Sequence, residues 1–247
     1  MTWIERVTLS AVKQPRVPDG MRIYAVGDIH GHSDLLGGVF AKIDADLLKR
    51  PVARSILVTL GDYIDRGPDS RGTIDLLLAR NKIQESVFLK GNHESFVFDF
   101  AKDPSLMRHW QKFGALDTMR SYGLAASADM TAQELQGLAE AWAANLPESH
   151  TSFFSKLALS FTCGDYFFAH AGVKPGIALK NQTERDLIWI RDEFLQSEKW
   201  FGKLVVHGHT PVPEPDFRPN RINIDTGAYA TGRLTCLALE GTDKMIL

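Results

Sequence analysis

Cysteine is scarce: Cys163 and Cys236 are the only two in 247 residues. Two thiols so far apart build no disulfide framework, and both lie in apolar, strand-like runs that read as core. No run of ~18 apolar residues occurs, so nothing in the sequence reads as a membrane-spanning helix. Residues 1–20 scatter Glu5, Arg6, Lys13 and Arg16 without an apolar stretch, so no signal peptide is read and a cytoplasmic protein is the default expectation. Charge of one sign is also lacking. With 28 Lys and Arg against 30 Asp and Glu, the net charge is −2. That argues against a basic track and against nucleic acid as a partner. Internal repeats and low-complexity tracts are absent too.

What the sequence does have is a recurring unit: a short apolar run that ends in a polar turn. Residues 22–26 run into Gly27-Asp28, 55–60 into Gly61-Asp62, and 86–90 into Gly91-Asn92. Residues 166–169 run into His170, and 204–206 into His207. Short runs rich in β-branched and aromatic residues predict buried strands. Between the first three lie helical patterns. Ser33-Asp34 can cap a helix to about residue 49, and Asp69-Ser70 another over 71–80, with Ile74, Leu77 and Leu78 on one face. This β-α-β-α-β order predicts a partly parallel sheet. Residues 95–159 lose strand character and predict a helical cap, with a capping box at Thr131 and Glu134. Strands return after residue 160, with a hairpin at Gly164-Asp165 and a final β region over 221–239.

Each turn is a weak signal alone, since Gly tolerates tight turns and Asp caps helices. Their number is the stronger signal. Strand carboxyl ends of an α/β sheet open into one crevice, so Asp28, His30, Asp62, Asn92, His93, His170, His207 and His209 should converge. Of the chain's 8 histidines, His30, His93, His170, His207 and His209 all lie in these turns. Carboxylates and imidazoles buried together call for a cation. The oxygen and nitrogen donors, without thiolate, suit manganese, iron or zinc. They exceed what one four-coordinate ion requires. Two ions sharing a carboxylate fit better, the usual device for in-line displacement at phosphorus.

Gly27-Asp28-Ile29-His30-Gly31, Gly61-Asp62-Tyr63-Ile64-Asp65-Arg66-Gly67, Gly91-Asn92-His93-Glu94, His170-Ala171-Gly172 and Gly208-His209-Thr210 together resemble the phosphoprotein phosphatase family of binuclear metallophosphatases. The end of the chain, with His207-Gly208-His209-Thr210-Pro211 and Ile224-Asp225-Thr226-Gly227-Ala228, is similar to the short bacterial and phage members. The resemblance spans residues 23–228. It implies an α/β metallophosphatase-like (calcineurin-like) sandwich of two mixed β-sheets flanked by helices, as a single domain with the helical cap inserted. It implies Asp28 and His30 on a first metal, Asp62 bridging, and Asn92, His170 and His209 on a second, with Mn2+ expected and Fe or Zn as alternatives. It implies His93 and Asp65 as an acid dyad, and Arg66 and Arg191 as phosphate grips. Two metals would activate a water as nucleophile, with no covalent phosphoenzyme.

A Gly-His-x-His ending would add a ligand, but Pro211 stands there, which argues against a nuclease or phosphodiesterase. Neither cysteine has the Cys-x5-Arg pattern of a cysteine phosphatase, and no glycine-rich phosphate loop is present. The expected function is therefore metal-dependent phosphomonoester hydrolysis by a serine/threonine protein phosphatase. Its substrate would be a phosphorylated protein or small phosphoester. The alternative is a symmetrical diadenosine polyphosphate hydrolase, a close relative in which the aspartate before Arg-Gly is usually replaced; here it is Asp65. A phosphate-binding module without activity is the third reading, and the intact Asp65–His93 pair argues against it.

Overall fold

The computed structural model describes residues 14–247. In chain order it contains β1 (Met21–Val26), α1 (Ser33–Lys49), β2 (Arg54–Thr59), α2 (Ser70–Asn81) and β3 (Glu85–Phe88). Five helices follow: α3 (Phe96–Lys102), α4 (Met107–Trp110), α5 (Ala115–Ser121), α6 (Ala132–Asn145) and α7 (Glu148–Ser155). Then come β4 (Ser160–Cys163), β5 (Tyr166–Ala169), α8 (Glu184–Trp189), α9 (Asp192–Leu195), β6 (Leu204–His207), β7 (Asp216–Phe217), β8 (Arg221–Asn223), α10 (Ala228–Thr231), β9 (Cys236–Glu240) and β10 (Asp243–Ile246).

Two mixed sheets result, one ordered β10-β9-β1-β2-β3 and the other β4-β5-β6-β8-β7. β1, β2 and β3 are parallel, joined by α1 and α2, while β9 runs antiparallel to β1. Alternation along each strand sorts side chains into layers. Ile23 and Ala25 of β1 point between the sheets, where they meet Tyr166, Phe168, Leu204 and Val206. Tyr24 and Val26 point outward and pack with α1, α2 and the helices of residues 96–155. Phe167, Ala169 and Val205 point out of the second sheet onto Leu187, Ile188 and Phe194. The order is helix, sheet, sheet, helix.

Helix starts follow local chemistry. Asp69 caps α2 by accepting from the Gly72 N–H, and Thr131 with Glu134 forms the expected capping box of α6. α1 differs from expectation: His32 holds the cap position without a side-chain cap bond, because the Ser33 hydroxyl is used on Asp69 at 2.5 Å. Strands β7 and β10 were not expected from sequence. β7 has two residues and β10 is largely exposed, so neither carries a strong apolar pattern. Both cysteines are buried. Among the described residues no helix is long and apolar enough to cross a membrane.

Candidate metal centre

The ends of β1, β2, β3, β5 and β6 meet between the sheets, and their loops carry the candidate residues. Five non-glycine residues there have positive φ: His30 (49°), Asp62 (51°), Asp65 (72°), Arg66 (70°) and His209 (66°). Among the described residues no other non-glycine residue does. Such backbones cost about 1–3 kcal/mol each and persist where the surroundings over-determine them. Here strain is confined to the side chains expected to act. Glycine serves the same geometry: a Cβ on Gly91 would collide with the Asp62 carboxylate, and one on Gly208 with that of Asp28.

Asp62 is the centre. Its Oδ2 lies 3.6 Å from Nε2 of both His30 and His93, and its Oδ1 lies 3.4 Å from His170 Nε2. Two donor groups therefore share it: His30, Asp62 and His93 on one side, and Asp62, His170 and His209 on the other. Asn92 joins the second group, its Oδ1 3.1 Å from His170 Nε2. Asp28 belongs to neither group; it is buried, its carboxylate accepting from the His209 backbone N–H at 3.0 Å. His93 in the first group was expected only as an acid.

The imidazoles are prepared as ligands. His30 Nδ1 donates to the Ile64 carbonyl at 3.0 Å, and His170 Nδ1 to the Leu60 carbonyl at 2.9 Å. Each Nε2 is then a lone pair facing the site. His170 Nε2 stands 3.1 Å from His209 Nδ1, so two ring nitrogens converge. Burial holds all three neutral: His30 falls to about 3, with His93 adding to the effect, His209 to about 2, and His170 is also lowered. Burial would raise Asp62, but the histidines around it, among which His93 is the one that stays cationic, outweigh burial and hold it below the usual carboxylate range. Asp28 is pushed far up, by burial and then by Asp225 and Asp62. Bare lone pairs converging on crowded carboxylates form an arrangement that a divalent cation relieves, so the donor set fits a metal pair.

His93 is different. Its Nδ1 donates to Asp65 Oδ2 at 2.6 Å. Burial would lower its pKa, yet Asp62 and then Asp65 lift it to about 9, so at neutral pH the ring is cationic and Nε2 carries a proton. Asp65 is itself fixed by Trp110 Nε1–H at 2.7 Å and the Thr118 hydroxyl at 2.6 Å. Glu94 is a structural acid: it accepts from the backbone N–H groups of Asp62, Tyr63 and Gly91, tying two strand ends together. The Arg66 guanidinium lies 4.0 Å from the Tyr229 ring centroid, and Tyr229 meets His30 edge to face. Arg191 is exposed and donates to Thr210 Oγ1 at 3.2 Å, beside His209.

Several residues depart from their sequence reading or escaped it. Trp110 is buried in the helical cap and also holds Asp65. His207 faces no ligand; it packs on Phe194 and its Nδ1 meets the Gly208 carbonyl. His150 is buried between Tyr122 and Asp75. Thr118, Asp225 and Tyr229 had been given no role. Asp225 is buried next to Asp28, and burial with the charge of Asp62 raises it to about 6 against the opposing Gly227 N–H. Its place in the Ile-Asp-Thr-Gly-Ala run was the available signal.

Comparison with known proteins agrees with this geometry. The sequence profile of calcineurin-like phosphoesterases matches residues 21–236. The asymmetrical bis(5'-nucleosyl)-tetraphosphatase PrpE of Oceanobacillus iheyensis is 27% identical over 234 residues, covering 87% of each chain. A crystal structure described as a putative diadenosine tetraphosphatase superposes with TM-score 0.59 at 21% identity, over 95% of this chain and 97% of that one. A serine/threonine protein phosphatase from Saccharomyces cerevisiae superposes with TM-score 0.54 at 14% identity, over 95% and 83%. At these identities the two structures establish a shared fold.

Proposed function

Because the chain belongs to the calcineurin-like phosphoesterase family, we propose that it hydrolyses bis(5'-nucleosyl) tetraphosphates in a metal-dependent reaction. The observation that carries the substrate class is the near full-length likeness, in both directions, to relatives named as asymmetrical tetraphosphatases. Asp28, His30 and Asp62 would hold one divalent cation, and Asp62, Asn92, His170 and His209 a second. When bound, such a pair polarises phosphoryl oxygens and brings the pKa of water at the site towards neutrality.

The remaining work falls to the chain's own side chains. Arg66 and Arg191 approach from the two ends of the cluster, beside His30 and His209, and present planar donors to phosphoryl oxygens. Tyr229 keeps Arg66 from folding away. His93 donates its Nε2 proton to the departing oxygen and becomes neutral, while Asp65 keeps hold of the Nδ1–H and so of the ring's orientation.

That dyad favours a second reading, phosphoserine or phosphothreonine hydrolysis. A serine alkoxide needs a proton to leave, whereas a nucleotide departs as a stable phosphate anion. The deciding experiment compares kcat/KM on diadenosine tetraphosphate and on a phosphothreonine peptide after Mn2+ loading. Faster cleavage of the dinucleotide, to ATP and AMP, is the expected outcome. ADP as the sole product would mean symmetrical cleavage, and a faster peptide reaction would establish the second reading.

A further inference from the structure

α8 begins with a capping box between Thr183 and Asp186 and ends at Trp189, one turn and a half later. The chain then extends at Ile190 before Arg191. This leaves Trp189 36% exposed at the rim of the metal centre, an unusual position for so large an apolar ring. Its ring meets His209 edge to face at 6.2 Å between centroids, and Phe113 at 6.4 Å. Phe113 in turn packs on His93. Trp189 therefore touches both the second donor group and the neighbour of the acid.

Trp189 also lines a cleft of about 1110 Å³, together with residues of α8, α9 and the turn after β3. Three cations line it, Lys90, Lys174 and Arg185, against four carboxylates that include Glu184 and Glu193. Lys90 is already paired with Glu184 at 2.6 Å. A cleft so balanced has no positive field for a polyphosphate, which is left to Arg66 and Arg191 at the metals. It does suit an uncharged, hydroxyl-rich group: carboxylates accept from ribose hydroxyls, and an exposed indole offers a face to a base.

We propose that this cleft is a nucleoside subsite, with Trp189 as the stacking platform for the base next to the phosphate under attack. The inference rests on the tetraphosphatase reading and deepens it. It assigns one nucleoside a seat beside His209, on one side of the donor cluster, as cleavage off the centre of a dinucleoside tetraphosphate requires. Stacking of a base on an aromatic side chain is worth roughly 5- to 150-fold in affinity.

The test uses the full chain with Mn2+, in wild-type, Trp189→Ala, Trp189→Leu and Trp189→Phe forms. Adenosine binding is read by calorimetry. The kcat/KM ratio of diadenosine tetraphosphate over inorganic tripolyphosphate, which has phosphates and no base, is read in parallel. Loss of the indole should weaken adenosine binding and lower the ratio by the same roughly 5- to 150-fold. Leu, which keeps apolar bulk without a π-face, should behave like Ala, and Phe should retain most of both. Adenosine binding that ignores Trp189, in a wild type that cleaves the dinucleotide, overturns the subsite and leaves the hydrolase reading intact. A wild type inert on the dinucleotide overturns that reading. The subsite then stands if adenosine binds through Trp189 and falls if it does not.

Discussion

The first sheet delivers Asp28, His30, Asp62, Asp65, Arg66, Asn92 and His93 from the ends of three adjacent parallel strands. Behind it lies the larger core, where Trp110, Trp142, Phe100 and Tyr63 pack with α1 and α2. The second sheet delivers His170 and His209, with Arg191 from the loop beside them, and is backed by a smaller cluster around Phe167 and Phe194. The first half thus carries Asp62 and His93, the proposed bridging carboxylate and acid, with Asp65 held by several hydrogen bonds. The second half carries the exposed grip and the cleft. The difference teaches that groups needing fixed protonation are set into the thick part of the fold, where low dielectric and many partners hold them. Groups that meet the variable part of a substrate stand on the thin, solvent-facing part.

The strongest way to break this comparison is Asp62→Asn, which strips the shared ligand from both halves. Activity should fall by ~10⁴ or more, the loss of several kcal/mol of transition-state stabilisation. Elemental analysis should show bound Mn2+ dropping well below the two ions expected of the wild type. Unchanged stoichiometry would show that the halves bind metal independently. His93→Asn comes next, with a fall of ~10²–10⁴ on a phosphothreonine peptide or any substrate with a poor leaving group. The fall should be smaller on nitrophenyl phosphate, which leaves unaided; equal losses would make His93 a ligand instead.

Smaller effects sharpen the same contrast. Trp110→Phe keeps the ring but removes a donor from the Asp65 carboxylate, worth roughly 1.5–3 kcal/mol for a bond to a charged group. The pH profile should show the ionisation of the acid moving up, because a carboxylate with one donor fewer holds the imidazolium more tightly; a loss of rate with an unmoved profile would assign Trp110 to packing alone. Arg191→Ala should raise KM by roughly tenfold with little change in kcat, since the side chain is exposed and screened. Arg66→Ala, set against Tyr229, should cost more than that; the reverse order would invert the assignment of the two grips.

The gentlest effect concerns pH in the metal-free protein. His93 rises from 6.5 when unfolded to about 9 when folded, so its stabilisation is complete below pH 6.5 and is lost as pH climbs to 9. The difference in urea midpoint between wild type and His93→Asn should shrink across that window. A difference that grows with pH would refute the cationic assignment.

Much of this was legible in residue order. The continuous burial of β1 and β2, and the cap at Asp69, follow from patterns a few residues long. The Gly-Asp and Gly-Asn turns follow because glycine next to a ligand makes room for its carboxylate, as at Gly91. Other features are not local. Trp110 and Thr118 reach Asp65 across 45 and 53 residues, and nothing in their own neighbourhood announces it. His150 is enclosed by Tyr122 and Asp75, 28 and 75 residues away. Strand β10 is held by pairing with β9 rather than by its own apolar content.

The sequence by itself therefore determined the donors, their order and their place at strand ends, because side-chain chemistry and strand periodicity are properties of short segments. Tertiary structure alone decided what each donor became. His30, His170 and His209 are neutral because burial holds them so, and the Ile64 and Leu60 carbonyls fix which nitrogen of the first two is left as a lone pair. His93, the same residue in the same cluster, is cationic because Asp65 and Asp62 both face it. Protonation depends on distance and dielectric, and those exist only once distant parts of the chain have met.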